Sequence, residues 1–165
     1  MTIYMKMDGA EGNVTAKGYE KWIELSSLNF GVKRSINTKP GKVADRESTR
    51  PTVSEVTLTK EMDKSSPALF TEACVGKAKP KVEIHLCQTG ENISPFMQYT
   101  LENVLVSNYS VNHSSDDNQR KTGYPTETVT LNFDKIEMKY TPYDEQHKAQ
   151  SPIPAGYDLN TAQKI

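Results

Sequence analysis

The sequence has neither a marked excess of charge of one sign nor a long hydrophobic run. Its 165 residues contain 20 lysines and arginines against 21 aspartates and glutamates, a formal net charge of −1 at pH 7. A protein that binds nucleic acid by neutralising phosphates needs a basic excess, so this class of protein is disfavoured. No stretch approaches the roughly 20 apolar residues that span a bilayer, which predicts no membrane insertion.

Targeting signals and cysteines are also scarce. The first residues, MTIYMKMDGAEG, lack a basic region followed by an apolar run, which predicts no secretory signal. We therefore expect a cytoplasmic protein whose export would need a machine that does not read signal peptides. Cys74 and Cys87 form no CxxC motif; they could pair, but free buried thiols are favoured. We expect no metal and no other cofactor.

Alternation of apolar and polar residues, which is typical of β-strands, is abundant along the chain. The strands it predicts cover residues 2–8, 22–32, 53–59, 81–87, 96–111 and 129–140. The alternation changes parity near Ser26–Ser27 and again near Asp134–Lys135, and each change requires a bulge or a bend. Long bent strands predict a mainly β fold in which a sheet curls over itself into a closed or nearly closed antiparallel barrel.

One segment, TKEMDKSSPALFTEACVGK, has the local signals of a helix. Ser66 is placed to cap it, Pro67 suits its first turn and Gly76 can end it in a left-handed conformation. We predict a short flanking α-helix at about residues 66–75. A helix of about ten residues does not persist alone in water, so it must dock on the sheets. The residues expected to seal one side or end of the barrel are Leu69, Phe70 and Ala73.

A long extended loop is predicted at about residues 33–50, where no apolar alternation is present. A loop of about 18 residues is uncommon inside a compact domain unless it is functional or disordered. It contains two acidic residues, Asp45 and Glu47, and six basic ones. The basic residues are Lys33, Arg34, Lys39, Lys42, Arg46 and Arg50. Such a loop can bind an anionic partner, lie in solvent or lie between subunits.

Candidate catalytic chemistry is limited to Glu83, His85 and Cys87, which share one strand face. Their spacing matches no metal motif, and a nucleophile usually lies on a turn or at a helix start. We predict an outward strand face and no enzyme. A β-barrel hydrolase or thiol enzyme that uses these three residues is kept as the less favoured alternative.

The helical segment and the strand before it, VTLTKEMDKSSPALFTEACVGK, resemble the signature region of the haemolysin-coregulated protein (Hcp) family. In that family a strand ending in Thr-Lys leads through Asp-Lys-Ser-x-Pro into a short helix closed by Gly-Lys. Four further segments match in the same order: MKMDGAEGN, GYEKWIELSSLNFGVKR, YTLENVLVSNYSV and ETVTLNFDKIEMKYTP. The resemblance covers nearly the whole chain.

The resemblance implies an antiparallel β-barrel of two curled sheets with one short flanking helix. It also implies a structural subunit of the type VI secretion inner tube, with residues 1–165 as a single domain and no toxin extension. Such subunits form homohexameric rings that stack, are expelled by a contractile sheath with a valine-glycine-repeat spike protein, and carry small effectors in their channel. Asn29 matches a channel-facing position. The loop at 33–50, with its six basic residues, matches a family loop that reaches neighbouring subunits or rings. A phage-like tail tube protein, which shares the barrel and the ring, is the nearest alternative.

Overall fold

The computed structural model describes residues 1–36, 40–41, 49–113 and 123–165. The described chain forms twelve strands and one helix, which are numbered in chain order. They are β1 (Thr2–Met7), β2 (Ile23–Leu25), β3 (Ser27–Asn29), β4 (Val32–Arg34), β5 (Pro51–Val53), β6 (Val56–Glu61), α1 (Ser66–Val75), β7 (Lys79–Gln88), β8 (Ser94–Asn112), β9 (Thr126–Asn132), β10 (Lys135–Tyr140), β11 (Ile153–Asp158) and β12 (Gln163–Lys164).

Two antiparallel sheets share the long strand β8. Sheet A has the order β12-β11-β10-β8-β7-β1-β2, and sheet B has the order β3-β6-β9-β8. The first part of β8 pairs with β7 and β10, and its last part, from Leu105 to Asn112, pairs with β9. Strands β4 and β5 pair only with each other and form a separate ribbon within the described chain.

Both predicted parity changes lie where the chain passes from one sheet to the other. Ser26 separates β2 in sheet A from β3 in sheet B, and residues 133–134 separate β9 in sheet B from β10 in sheet A. The two predicted bends are therefore confirmed. A bend is needed at these points because the apolar side chains of both strands must face the same core.

Strand β8 contains irregularities that the alternation did not reveal. Val104 and Val106 differ in parity from Leu101, yet all three side chains are buried in the same core. The inward parity changes after Leu101, at Asn103 with its φ of 51°, and shifts again at a bulge after Val106. A bulge changes the direction in which the following side chains point. Strand β8 can therefore belong to both sheets while its inward side chains stay in the same core.

The inward faces of the two sheets enclose one apolar core. Its fully buried members include Met5, Ile23, Leu58, Leu101 and Leu131. The mainly antiparallel β class with one helix is confirmed. The two sheets do not close into a barrel with a continuous ladder of backbone hydrogen bonds, because β2 and β6 are not paired. Within the described chain, a backbone hydrogen bond of 2.7 Å from Ser26 N to Thr59 O crosses the gap between them.

The helix has the predicted limits, Ser66–Val75, but its cap lies one residue before the predicted one. Its N-cap is Ser65 rather than Ser66, Pro67 lies in the first turn, and Gly76 ends it in the left-handed region with a φ of 67°. Glycine adopts this conformation without the steric cost that a Cβ imposes. Within the described residues, no helix has the length and the apolar character needed to cross a membrane.

The three residues expected to seal the barrel lie in different environments. Leu69 is fully buried, and Ala73, one turn later, is half-buried against the core. Phe70 departs from the expectation because its side chain is 57% exposed. Leu69 and Ala73 lie one above the other on the face toward the sheets, whereas Phe70 is rotated away from that face and makes an edge-type ring contact with Tyr109.

The predicted extended loop begins as regular structure, because Lys33 and Arg34 lie in β4. The prediction of an irregular loop is therefore wrong at its start, where Lys33 pairs opposite Thr52 and Arg34 opposite Pro51 and the backbone groups are satisfied. Arg50, at the other end, lies outside the strands and directly precedes β5. Lys39, Lys42 and Arg46 lie outside the described residues.

Candidate functional site

The outward side chains of sheet B form a surface of hydroxyl and amide groups, which we call the hydroxyl-amide face. Its residues are Ser27, Asn29, Thr57, Thr59, Asn108, Ser110, Asn112, Thr126, Thr128 and Thr130. All of them are exposed or half-buried, so no part of the described chain covers this face. Threonine is favoured in strands for its branched Cβ and still offers a hydroxyl group to a partner.

The strand register aligns these groups in rows across four strands. Asn29 lies opposite Thr57, Thr57 opposite Thr130, and Thr130 opposite Asn108. The next row consists of Ser27, Thr59, Thr128 and Ser110. The face therefore presents neutral hydrogen-bonding groups over the width of the sheet.

Carboxylates occur only at the ends of this surface among the described residues. Glu61, at the end of β6, is the charged member among the described outward residues of the sheet B strands. At the opposite end, Glu55 accepts hydrogen bonds from the Ser107 hydroxyl at 2.8 Å and the Asn132 amide at 3.2 Å. Between these ends the surface can bind a partner by hydrogen bonds and shape, with little selection by charge.

The outward face of sheet A has the opposite character. Lys81 pairs with Glu83 at 2.7 Å, and Lys135 lies 3.3 Å from Glu137 and 3.7 Å from Glu102. Exposed pairs of this kind contribute little to stability and are typical of a solvated face. Among the described residues, the outward face of sheet B has no such exposed ion pair.

A buried ion pair lies beneath the hydroxyl-amide face and was missed by the sequence predictions. Lys60 Nζ lies 2.7 Å from Glu127 Oε2, and both side chains have no exposed surface. The two residues are direct cross-strand partners on β6 and β9. The signal was available, because Lys60 continues the inward series of Val56 and Leu58.

The buried pair belongs to a network at the start of the helix. Lys60 Nζ also lies 3.0 Å from Asp63 Oδ1 and donates to the Glu61 carbonyl at 2.8 Å. The Tyr109 hydroxyl donates to Glu127 Oε1 at 2.6 Å. Burial and the neighbouring Glu127 carboxylate raise the pKa of Tyr109 to about 12, so its hydroxyl remains a donor. The network satisfies the buried charges and ties the helix start to sheet B.

The Glu83–His85–Cys87 trio does not have the environment of a catalytic thiol. The Tyr19 hydroxyl lies 3.0 Å from His85 Nδ1, and Cys87 Sγ donates to the same hydroxyl at 3.3 Å. Burial lowers the pKa of His85 and raises the pKa of the Cys87 thiol. A reactive cysteine needs a lowered pKa and access, so this cluster indicates a second small core under the segment that carries Tyr19.

The two cysteines should differ in reactivity toward a thiol reagent. Cys74 is exposed and Cys87 is fully buried. Ellman's reagent should therefore modify one thiol per chain in the folded protein and two in urea. A Cys74→Ser variant should lose the fast reaction, whereas Cys87→Ala should keep it. Rapid modification of Cys87 in folded Cys74→Ser protein would show that the Tyr19 cover is open and would revive the thiol-enzyme alternative.

Solved structures superpose on this fold over nearly the whole chain. The structure of a type six secretion system protein superposes with a TM-score of 0.91 at 26% identity and covers 99% of both chains. The crystal structure of Hcp1 from Salmonella typhimurium has a TM-score of 0.78 at 23% identity, covering 99% of this chain and 98% of that one. The class of protein is thus a two-sheet β protein of the Hcp fold.

The sequence assigns the family. Residues 4–140 match the family described as "Type VI secretion system effector, Hcp". Protein hcp1 of Pseudomonas aeruginosa is 32% identical over 114 residues, which cover 68% of this chain and 67% of that relative. The chain belongs to the Hcp family of type VI secretion system tube proteins, as the signature region predicted.

Proposed function

We propose that the chain is a structural subunit of the inner tube, which forms homohexameric rings that stack and are expelled with small effectors in the channel. Its partners are copies of itself, the contractile sheath, the valine-glycine-repeat spike protein and the effectors. It resides in the cytoplasm before firing and then outside the cell. This proposal rests on the family and on the uncharged face of sheet B, and it assigns no enzymatic activity.

The hydroxyl-amide face supports the proposal because both edges of its sheet are unpaired. Strand β3 pairs only with β6, and the last part of β8 only with β9, so both edges of sheet B are unpaired within the described chain. Unpaired edges are open to strands of other copies. A repeated contact that closes by rotation would place six such faces around one channel, with neutral hydrogen-bonding groups along its wall.

In this arrangement Asn29 and its row neighbours contact the cargo. A neutral wall suits a tube that must hold a protein and then release it, because hydrogen bonds to a folded surface exchange readily with water. Strong charge pairing inside a narrow channel would instead select one cargo and oppose its release. We therefore expect retention of effectors to depend on the shape and size of the cargo more than on salt.

The tube proposal predicts rings in solution and a channel effect of Asn29. Native mass spectrometry should show a hexamer, and micrographs should show rings. The Asn29→Arg variant should still form a hexamer. It should reduce the amount of small effectors secreted several-fold, measured by quantitative mass spectrometry of culture supernatants. The matched control is Gln98→Arg on the outward face of sheet A, which should change neither. Monomer alone at every concentration would refute the ring, and equal effects of both variants would refute the channel position of Asn29.

A further inference from the structure

Residues 12–22, which we call the Tyr19 cover, form a loop that lies on the outward face of β1 and β7. Backbone hydrogen bonds within the loop close it on itself, including one of 2.9 Å from Gly12 N to Lys21 O. Its contacts with the sheet are made largely by aromatic rings, and the Tyr19 ring lies 4.8 Å from the Tyr4 ring. The cover can therefore leave the sheet as a unit while it keeps its internal hydrogen bonds.

A directional chain of hydrogen bonds joins the cover to the strand beneath it. The Cys87 thiol donates to the Tyr19 hydroxyl at 3.3 Å, and that hydroxyl lies 3.0 Å from His85 Nδ1. Burial raises the pKa of Tyr19 above its ordinary value, so the hydroxyl keeps its proton. Because the thiol already donates to this oxygen, the hydroxyl donates to Nδ1, which accepts only while the imidazole is neutral. The closed arrangement thus requires an unprotonated His85.

Protonation of His85 removes the acceptor on which this arrangement depends. Both nitrogens of an imidazolium carry hydrogens, so Nδ1 becomes a donor. The Tyr19 oxygen can accept from it, but the hydrogen of the Tyr19 hydroxyl then has no acceptor, and the residue is only 6% exposed. A buried donor without a partner is unfavourable, whereas water accepts this hydrogen once the cover is open.

Protons can reach the imidazole from its other side. His85 is half-buried and lines a depression of about 510 Å³ on the outward face of sheet A. Its cross-strand partners are the phenol of Tyr4 on β1 and the amide of Gln98 on β8. The charged groups near it are Lys81 and Glu83 on β7, Glu137 and Lys139 on β10, and Lys6, which lies opposite Glu83 on β1.

The pKa of His85 gives the direction of the pH dependence. Burial has the largest effect and lowers this pKa from its ordinary value of 6.5; Glu83 raises it, and Lys139 and Lys81 lower it. The closed state therefore binds fewer protons than the open state. Its stability is fully present above about pH 6.5 and is lost as the pH falls from there toward the lowered pKa.

We propose that the Tyr19 cover is an acid-sensitive latch: protonation of His85 breaks the hydrogen bond from the Tyr19 hydroxyl, and the cover opens and exposes Cys87. The cover belongs to the segment that joins β1 to β2, and β2 is an edge strand of sheet A. Opening therefore also removes a restraint on that edge. The inference concerns a single chain and does not depend on the proposed function.

The accessibility of Cys87 measures the opening. In Cys74→Ser protein, the rate of reaction with dithiodipyridine, a thiol reagent that also works at acid pH, is measured for the folded and the urea-unfolded chain at each pH. The ratio of the folded to the unfolded rate removes the intrinsic reactivity of the thiol. This ratio should rise roughly fivefold or more between about pH 7.5 and pH 5, because the open state takes up the proton that the closed state excludes.

Two histidine variants in the same Cys74→Ser background assign the step. The amide oxygen of His85→Asn can accept from the Tyr19 hydroxyl but does not titrate, so its rate ratio should not change with pH. His147→Asn is the matched control, because His147 is exposed and has a φ of 59°, a conformation that asparagine adopts readily. The control should keep the full acid rise.

The single tryptophan gives a second readout of the same event. The Trp22 ring lies 4.8 Å from the His85 ring, so its emission should shift reversibly to longer wavelengths over the pH range in which Cys87 becomes reactive. A loss of intensity without a wavelength shift and without faster reaction of Cys87 would mean that His85 is protonated under a closed cover. That result would overturn the latch.

Charge variants near the imidazole provide an independent test at low salt. Lys139→Gln removes a cation and should raise the pH midpoint of opening, whereas Glu83→Gln removes an anion and should lower it. A constant rate ratio in the Cys74→Ser protein, or an acid rise that survives His85→Asn, overturns the inference. Midpoints that neither charge variant moves would assign the step to another group and would overturn it as well.

Discussion

Replacing Lys60 with methionine is expected to lower the free energy of unfolding by about 3–5 kcal/mol. The side chains of Lys60 and Glu127 are both fully buried, and their charged atoms lie 2.7 Å apart. Methionine fills much of the same volume but leaves the Glu127 carboxylate without its cation in a dry site. The Tyr109 hydroxyl still donates to that carboxylate, but one neutral donor does not replace an ammonium group.

The double variant K60M/E127L distinguishes loss of the charge from loss of packing. It should recover a large part of the stability, because replacing both members of a buried pair by apolar groups is often neutral. Urea unfolding at one fixed protein concentration is the appropriate measurement, since the proposed assembly would also contribute to apparent stability. Lys64 follows Asp63 in the chain and is exposed. The free energy of unfolding of the Lys64→Met variant should therefore stay within about 0.5 kcal/mol of the wild-type value. A double variant no better than K60M would contradict the electrostatic explanation.

Leu69→Ala should destabilise the protein by about 2–5 kcal/mol, whereas Phe70→Ala should cost less than about 1.5 kcal/mol in a single chain. Leu69 is fully buried in the core under the helix, so its truncation leaves a cavity. Phe70 is largely exposed and would lose mainly its edge contact with the Tyr109 ring, whose centroid lies 6.1 Å away. The two neighbouring positions thus act as each other's control.

The contrast between these two positions also tests whether the helix contacts another subunit. If Phe70→Ala costs more in the assembled ring than in dissociated chains, a neighbouring copy covers its ring. Thermal unfolding above and below the concentration of ring assembly makes this comparison. Equal, small costs in both states would leave Phe70 on a free surface, and a Leu69→Ala cost below about 1 kcal/mol would contradict the docking of the helix.

Residue patterns were sufficient for most of the secondary structure. Alternation identified the long strands, and its parity changes marked the two places where the chain passes between the sheets. Pro67 and Gly76 set the limits of the helix through backbone conformation alone. These features follow from interactions between residues close in sequence, which is why they can be predicted from it.

The chemistry of the buried groups depended on contacts between distant segments. The predicted strand ended at Thr59 and did not include Lys60, and no local pattern shows that Glu127, 67 positions later, lies opposite it. Alternation placed His85 and Cys87 on an outward face, but not Tyr19, 68 positions before Cys87, over that face. Periodicity indicates which side of a strand a residue occupies, and only the packing of other segments decides what covers that side.

By itself, the sequence determined the β class, the single short helix, the bends and the Hcp family. Each of these is specified by local backbone preference, by periodicity or by a contiguous signature. Only the tertiary structure decided that Phe70 is exposed, that two charges lie in the core, and that sheet B presents a neutral face with unpaired edges. These features depend on strand pairing and packing, which set which surfaces lie together and which lie apart.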